Sequence, residues 1–343
     1  MHRRLVWLVT SAFLLIPDLL ASPAFAQANG ASAEAETQGA SAPIDEVIVT
    51  GEQPGPGLWK VTHGGTHVVW VLGTVGAVPR DLNWRSRQVE DVIAHANAVI
   101  FGESVNPTNI GFFRGLLLLR SVLKLRYNPD KALLKDLIPP ERYERWLVLR
   151  KKYFKDDEDY DRVRPMFIAL QLAGAAAHES GLDAEGSLGR IVATTAKKHD
   201  VPIRHAEVKM AIADPKKAIR DFSATPREQD LACFNATLDN LDSDLDKAKS
   251  RARAWAVGDI EAFRQVPVPV AQPICLKAIT SAPGLQSEVT KVREGLNDSW
   301  LWEVQKALEL HAVTLAVTSL DDVLSPTGRL ARLRERGYTV EAP

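Results

Sequence analysis

Short apolar runs and helical spacings divide this chain into regions of different character. Leu58 to Val61 and His67 to Leu72 are strand-like runs on either side of His63-Gly64-Gly65-Thr66. Two glycines there supply turn geometry, so the pattern predicts a β-hairpin. The second arm, Val68-Val69-Trp70-Val71-Leu72, is apolar on both faces and predicts a buried strand. Arg85 to Asn97 places Val89, Val92, Ile93 and Ala96 at helical intervals, and Ala98 to Phe101 reads as another buried strand. Strand, loop, helix, strand is an α/β order.

From Ile110 to about Gly181 the pattern is helical throughout. Gly111 to Arg126 is one helix, and Tyr127-Asn128-Pro129-Asp130 is a turn. Pro139 and Pro140 open the next helix, where a missing N–H costs nothing. Ala184 to His199 predicts a helix, Val201 to Val208 a strand, Pro226 to Ala256 a long charged helix, and Leu285 to Leu310 another. The C-terminal region returns to α/β order, with strand Ala312 to Val317, helix Thr327 to Arg336, Gly337 as its C′ residue, and strand Tyr338 to Val340. The expected fold class is α/β, or α+β, with a central sheet built from N- and C-terminal segments around a large helical middle region. No internal repeat is visible.

The region ahead of the hairpin changes the picture from a fold to a compartment. Arg3 and Arg4 precede the apolar run Leu5 to Leu20, which is too short and too interrupted by Pro17 and Asp18 to span a bilayer well. Ala24 and Ala26 occupy the two positions that signal peptidase reads, so residues 1–26 are expected to be a cleavable signal peptide. The protein is then periplasmic or secreted. Residues 27–57 form an expected disordered leader, with no large apolar residue before Ile44. Residues 58–343 form the folded domain.

The 42 Lys and Arg residues nearly balance the 43 Asp and Glu residues, which gives no electrostatic case for binding nucleic acid. The two cysteines, Cys233 and Cys275, are a disulfide candidate in an oxidising compartment. In the chain-entropy model a loop of about forty residues closed this way contributes roughly 3–4 kcal/mol. The competing reading is two separate buried thiols. No G-x-S-x-G, Walker loop or GxGxxG occurs, so nucleophile and nucleotide chemistry lack support. His63 and His67 are separated by turn glycines, and His95 and His199 sit near helix ends, so none of the four points to a site.

Four stretches together resemble the TraB/GumN family, which includes the TIKI metalloproteases. They are Leu58-Trp59-Lys60-Val61, Leu72-Gly73-Thr74 with Pro79, Trp255-Ala256-Val257-Gly258-Asp259, and the run from Gly328-Arg329-Leu330 to Gly337-Tyr338-Thr339-Val340. The resemblance covers Leu58 to Val340. It implies a divalent metal held by two GxxH motifs, one after the first core strand and one after the last, together with a carboxylate. Both motifs are altered. The first reads Gly73-Thr74-Val75-Gly76 and the second Thr318-Ser319-Leu320-Asp321. Where the resemblance implies a carboxylate at the end of the second strand, Phe101-Gly102-Glu103 places the acid one residue late, and a single step on a strand turns a side chain to the other face. A middle Gly-Val-Asp pattern becomes Gly186-Ser187-Leu188. A hydrolytic site needs about three protein ligands and an open position. The resemblance therefore implies a pseudoenzyme with a degenerate metal site, no resident cofactor, and a binding or scaffolding role.

The runner-up is a metal-dependent hydrolase or protease with a rebuilt, carboxylate-rich site. His205 and Glu207 lie two apart on an expected strand and share a face. With Glu103 and Asp321 they offer oxygen-rich donors for Mn²⁺, Mg²⁺ or Ca²⁺, and Co²⁺ or Zn²⁺ also belongs to this reading. The bland alternative is a solvated strand end.

Two segments suggest binding. Residues 44–52, Ile-Asp-Glu-Val-Ile-Val-Thr-Gly-Glu, resemble the TonB-box-like segment of outer-membrane receptors, which implies a periplasmic protein partner engaged by strand addition. The competing reading pairs this segment with the protein's own sheet edge. Residues 111–126 carry many leucines and phenylalanines with four basic residues and no acid. That fits an interfacial helix at a membrane surface and equally a half-buried core helix, the commoner outcome.

Overall fold

The computed structural model describes residues 55–82, 86–108, 112–183, 187–210, 214–282 and 285–343. The expected signal peptide, the 44–52 segment, Gly111 and Gly186 lie outside the described residues.

Strands β1 (Leu58–Thr62) and β2 (Val68–Thr74) form the expected antiparallel hairpin, with Leu58 opposite Leu72. β3 (Val78–Pro79) pairs only with β5 (Leu182–Asp183), in a small second sheet. The main sheet adds β4 (Ala98–Pro107), β6 (Ile203–Met210), β7 (Val313–Ser319) and β8 (Thr339–Glu341). Its order is β6-β4-β7-β2-β1-β8. β7 lies parallel between β4 and β2, so a strand from near the C-terminus occupies the centre of the sheet. That position explains its apolar sequence, since five of its seven residues are buried.

Helices cover both faces. On one face α7 (Arg227–Ala256) and α10 (Leu285–Leu310) press Trp255, Trp300, Leu301 and Val304 against Val69, Val71, Ile100, Ala206 and Ala316. On the other, α1 (Arg87–Ala94) and α5 (Ser187–Lys198) bring Val89, Ile93, Val192 and Ala196 against Leu72, Val99, Leu315 and Val317. The helical middle comprises α2 (Phe112–Lys124), α3 (Pro140–Phe154), α4 (Pro165–Glu179) and α6 (Pro215–Ser223), with α9 (Ala271–Thr280) beside them. Its core gathers Trp146, Met166, Leu172, Phe234 and Leu238. The 30 residues of α7 join the two cores. Its early residues Phe234 and Leu238 pack in the helical core, and its late residues Ala252 and Trp255 pack under the sheet. Cys233 of α7 and Cys275 of α9 form a disulfide.

Two short helices complete the C-terminal return, α11 (Leu320–Leu324) and α12 (Arg329–Glu335), where the sequence pattern suggested a loop and one helix. A six-residue helix, α8 (Ile260–Gln265), the nine-residue α6 and the ten-residue α9 also went unanticipated, being short against the window over which a helical period is read.

One departure from the sequence reading bears on the site. On β4, Ile100 is in register with Arg204 of β6 but Glu103 with Ala206, so β4 carries one extra residue across this step. The extra residue is a bulge at Gly102, which has φ +85, a conformation that L side chains rarely adopt. The expectation that the late position of Glu103 turns it to the other face is thereby corrected. The bulge consumes the extra residue, and Glu103 leaves the sheet on the same face as Ile100 and Ala206.

Candidate functional site

The carboxyl ends of parallel strands are where open α/β sheets bind ligands, and here β2 and β7 end against α11 while Glu103 of β4 reaches the first residue of α12. β7 passes directly into α11, whose N-cap Ser319 accepts the backbone N–H of Asp322 at 3.1 Å. The chain then folds back on itself before α12. At Gly328 a Cβ would lie 1.9 Å from the carbonyl oxygen of Asp322, so only glycine fits that return. The consequence is local: the backbone N–H of Arg329 donates to Asp322 Oδ2 at 3.2 Å.

From that anchor the Arg329 side chain, only 7% exposed, runs in over the strand ends. Its Nε donates to Asn297 Oδ1 of α10 at 3.1 Å and its Nη1 to Thr318 Oγ1 at 2.7 Å. Nη2 donates to Glu103. The Asp322 carboxylate stands 3.9 Å from Nε, and the guanidinium carbon lies 5.2 Å from the centre of the Trp300 ring. Burial pushes the Asp322 carboxyl above its ordinary range. The Arg329 charge and its backbone hydrogen bond pull the other way, and nearby Glu103 adds to the upward push. Two buried indoles cap neighbouring strand carbonyls, as Trp300 Nε1 donates to the Val317 carbonyl at 3.1 Å and Trp255 Nε1 to the Gly73 carbonyl at 2.6 Å.

The positions singled out from sequence fall at several places. Gly73 sits at the end of β2, where a Cβ would come within 2.8 Å of Leu320. Gly76 faces open space, with nothing within 4 Å of a built Cβ. Thr318 is buried and belongs to the cluster through Arg329, while its carbonyl accepts from Thr74 Oγ1 at 3.1 Å. Asp321 points away from Asp322 and accepts from Arg251 Nη2. Arg251 is itself buried, donates to the Val266 carbonyl at 2.9 Å and stacks 3.8 Å above the Phe263 ring.

Of the four donors in the rebuilt-site reading, Glu103 is held by Arg329 and Asp321 by Arg251. His205 and Glu207 occupy the opposite strand face from Glu103, because Ala206 between them is its register partner. They line an open groove along β6 with Lys209, Ser299 and Trp302, and the Glu207 N–H donates to Ser299 Oγ at 2.9 Å. The structure thus splits these four donors among three environments. Among the described residues, no group of three or more His, Cys, Asp or Glu is arranged to hold a metal ion.

The residues that organise the site, Asp322, Arg329 and Asn297, were not read as functional from the sequence. Arg329 stood inside the quoted Gly328–Val340 run, and Asp322 adjoins Asp321, so the signal was present but ambiguous by one position. The positions where the family resemblance implies donors for a divalent ion are engaged in other contacts or carry no donor. Glu103 and Asp322 face a guanidinium, Gly76 offers no side chain, and Asp321 is engaged elsewhere.

Fold and cluster together define an α/β protein with a sheet interleaved from N- and C-terminal segments and an internal arginine beside the carboxyl ends of its parallel strands. The chain belongs to the TraB/PrgY/gumN family, whose model matches residues 57–342. No curated protein and no solved structure matches it.

Proposed function

We propose that this is an exported member of the TraB family whose ancestral metal position is taken over by an internal guanidinium, and that it acts by binding or scaffolding rather than by metal-dependent hydrolysis. The observation that carries this reading is the engagement of both cluster carboxylates, Glu103 and Asp322, by Arg329. A hydrolytic metal needs free donors and an open position for water. Here a cation built into the chain already pairs with the acids, and the Trp300 ring lies against its guanidinium. Export is supported by the basic start, the apolar run and the Ala24–Ala26 spacing, and the Cys233–Cys275 bridge suits an oxidising compartment.

The test is metal analysis of the purified mature protein, with thermal unfolding in the presence of Mn²⁺, Co²⁺ or Zn²⁺. The expected result is no stoichiometric metal and no metal-dependent rise in Tm, because a ligand stabilises only a state that binds it. A bound metal at one equivalent, or a concentration-dependent rise in Tm, overturns the reading.

A further inference from the structure

Residues 117–124 of α2 do not behave as the core helix that the leucines suggest. None of residues 117–124 is buried, and the helix contributes to no buried cluster among the described side chains. Leu117 is 81% exposed, Leu123 46%, and Tyr127 just beyond the helix 48%. Large exposed apolar side chains are few elsewhere among the described residues, so three within eleven positions make a local patch rather than scatter.

The stretch of chain that carries this patch has charge of one sign. Residues 104–129 include Arg114, Arg120, Lys124 and Arg126 and contain no Asp or Glu. Arg126 turns inward, donating to Gln171 at 3.4 Å and lying 5.7 Å from the Tyr160 ring. Arg120 and Lys124 remain exposed, and neither has an ion-pair partner among the described residues. α6 packs beside α2 and adds the exposed Lys216, while its acids Asp221 and Asp214 are paired with Lys217 and Arg220 of the same helix.

We propose that α2, with its α6 neighbour, is a membrane-surface patch that docks the protein on an anionic lipid bilayer. Leu117, Leu123 and Tyr127 enter the headgroup boundary while Arg120, Lys124 and Lys216 meet lipid phosphates. This combination of exposed leucines, an amphipathic ring and unpaired cations is the chemistry of an interfacial helix. A second copy of this chain is the poorer occupant, because a two-fold contact through α2 sets the same unpaired cations against each other with no acid in the stretch to answer them. No described helix is long and apolar enough to cross a membrane, so the contact is one that lies on the surface.

The test is co-sedimentation of the mature protein with vesicles of phosphatidylcholine alone and of phosphatidylcholine mixed with phosphatidylglycerol. Pelleting is expected with the anionic vesicles, falling about fivefold on pure phosphatidylcholine and in about 0.5 M salt. Two surface variants, Leu117→Gln/Leu123→Gln and Arg120→Glu/Lys124→Glu, should each lose anionic-vesicle binding while keeping the wild-type circular dichroism and Tm. Absence of lipid-dependent pelleting by the wild type overturns the proposal, whatever the variants do. So does a folded pair of variants that pellet like the wild type, or a solution oligomer that Leu117→Gln/Leu123→Gln dissociates without any lipid binding by the wild type.

Discussion

Arg329 holds its charge where two carboxylates converge, and the energetics of that arrangement are asymmetric. A largely buried ion pair adds little net stability relative to an apolar replacement, because desolvation offsets attraction. Removing one partner is another matter, since it strands the other charge. Arg329→Ala should therefore destabilise the protein by about 3 kcal/mol in urea unfolding, a value near the low end for buried pairs because Glu103 and Asp322 keep 20% and 21% side-chain exposure. Arg329→Lys should recover only part of this. An ammonium cannot present Nε to Asn297, Nη1 to Thr318 and Nη2 to Glu103 at once. If Glu103→Gln in the Arg329→Ala background regains about 1 kcal/mol, repulsion between stranded acids is the cause. Additive losses would count against that account.

At the scale of elements, the bulge in β4 decides whether the cluster exists. A regular β4 would place Gly102 beside Ala206 and send Glu103 to the His205 face, away from Arg329. The bulge depends on a positive φ at Gly102, where any Cβ also meets His205 Nδ1 at 3.1 Å. Gly102→Ala is expected to cost about 1–3 kcal/mol from backbone strain, and more if the strand slips to relieve it. Measured against Arg329→Ala, the two losses should be less than additive, because both break the same Glu103 contact. Full additivity would mean that the bulge and the arginine are independent. The register of β4 was not legible in sequence. A single glycine in an apolar strand signals a bulge or a close approach, and the residues alone do not say which. By contrast the hairpin at Gly64-Gly65 and the helices Arg227–Ala256 and Leu285–Leu310 were plain, since long periodic runs carry redundant signal.

At the scale of the molecule, α7 ties the helical core to the sheet core, and the Cys233–Cys275 bridge fixes its early turns to α9. A disulfide across 42 residues contributes about 4 kcal/mol in the chain-entropy model. Cys233→Ser/Cys275→Ser should then lower the midpoint of one shared transition, followed identically by tryptophan fluorescence and far-ultraviolet circular dichroism. Two separated transitions would show that α7 does not couple the cores.

Apolar period and turn chemistry were enough to indicate an α/β protein built from N- and C-terminal segments, and four short stretches, from Leu58-Trp59-Lys60-Val61 to the run beginning at Gly328, carried its resemblance to the TraB family. Each of those signals is local, repeated over many residues and tolerant of error. Only the tertiary structure decided which acid faces the site, that Arg329 is its centre, and that residues 117–124 of α2 lie outside the core. Those outcomes depend on contacts between residues hundreds of positions apart, as between Glu103 and Arg329, and on a one-residue change of register that no local pattern records. A strand reverses its faces with a single step, so the identity of the residues could not determine the site until the fold had fixed their direction.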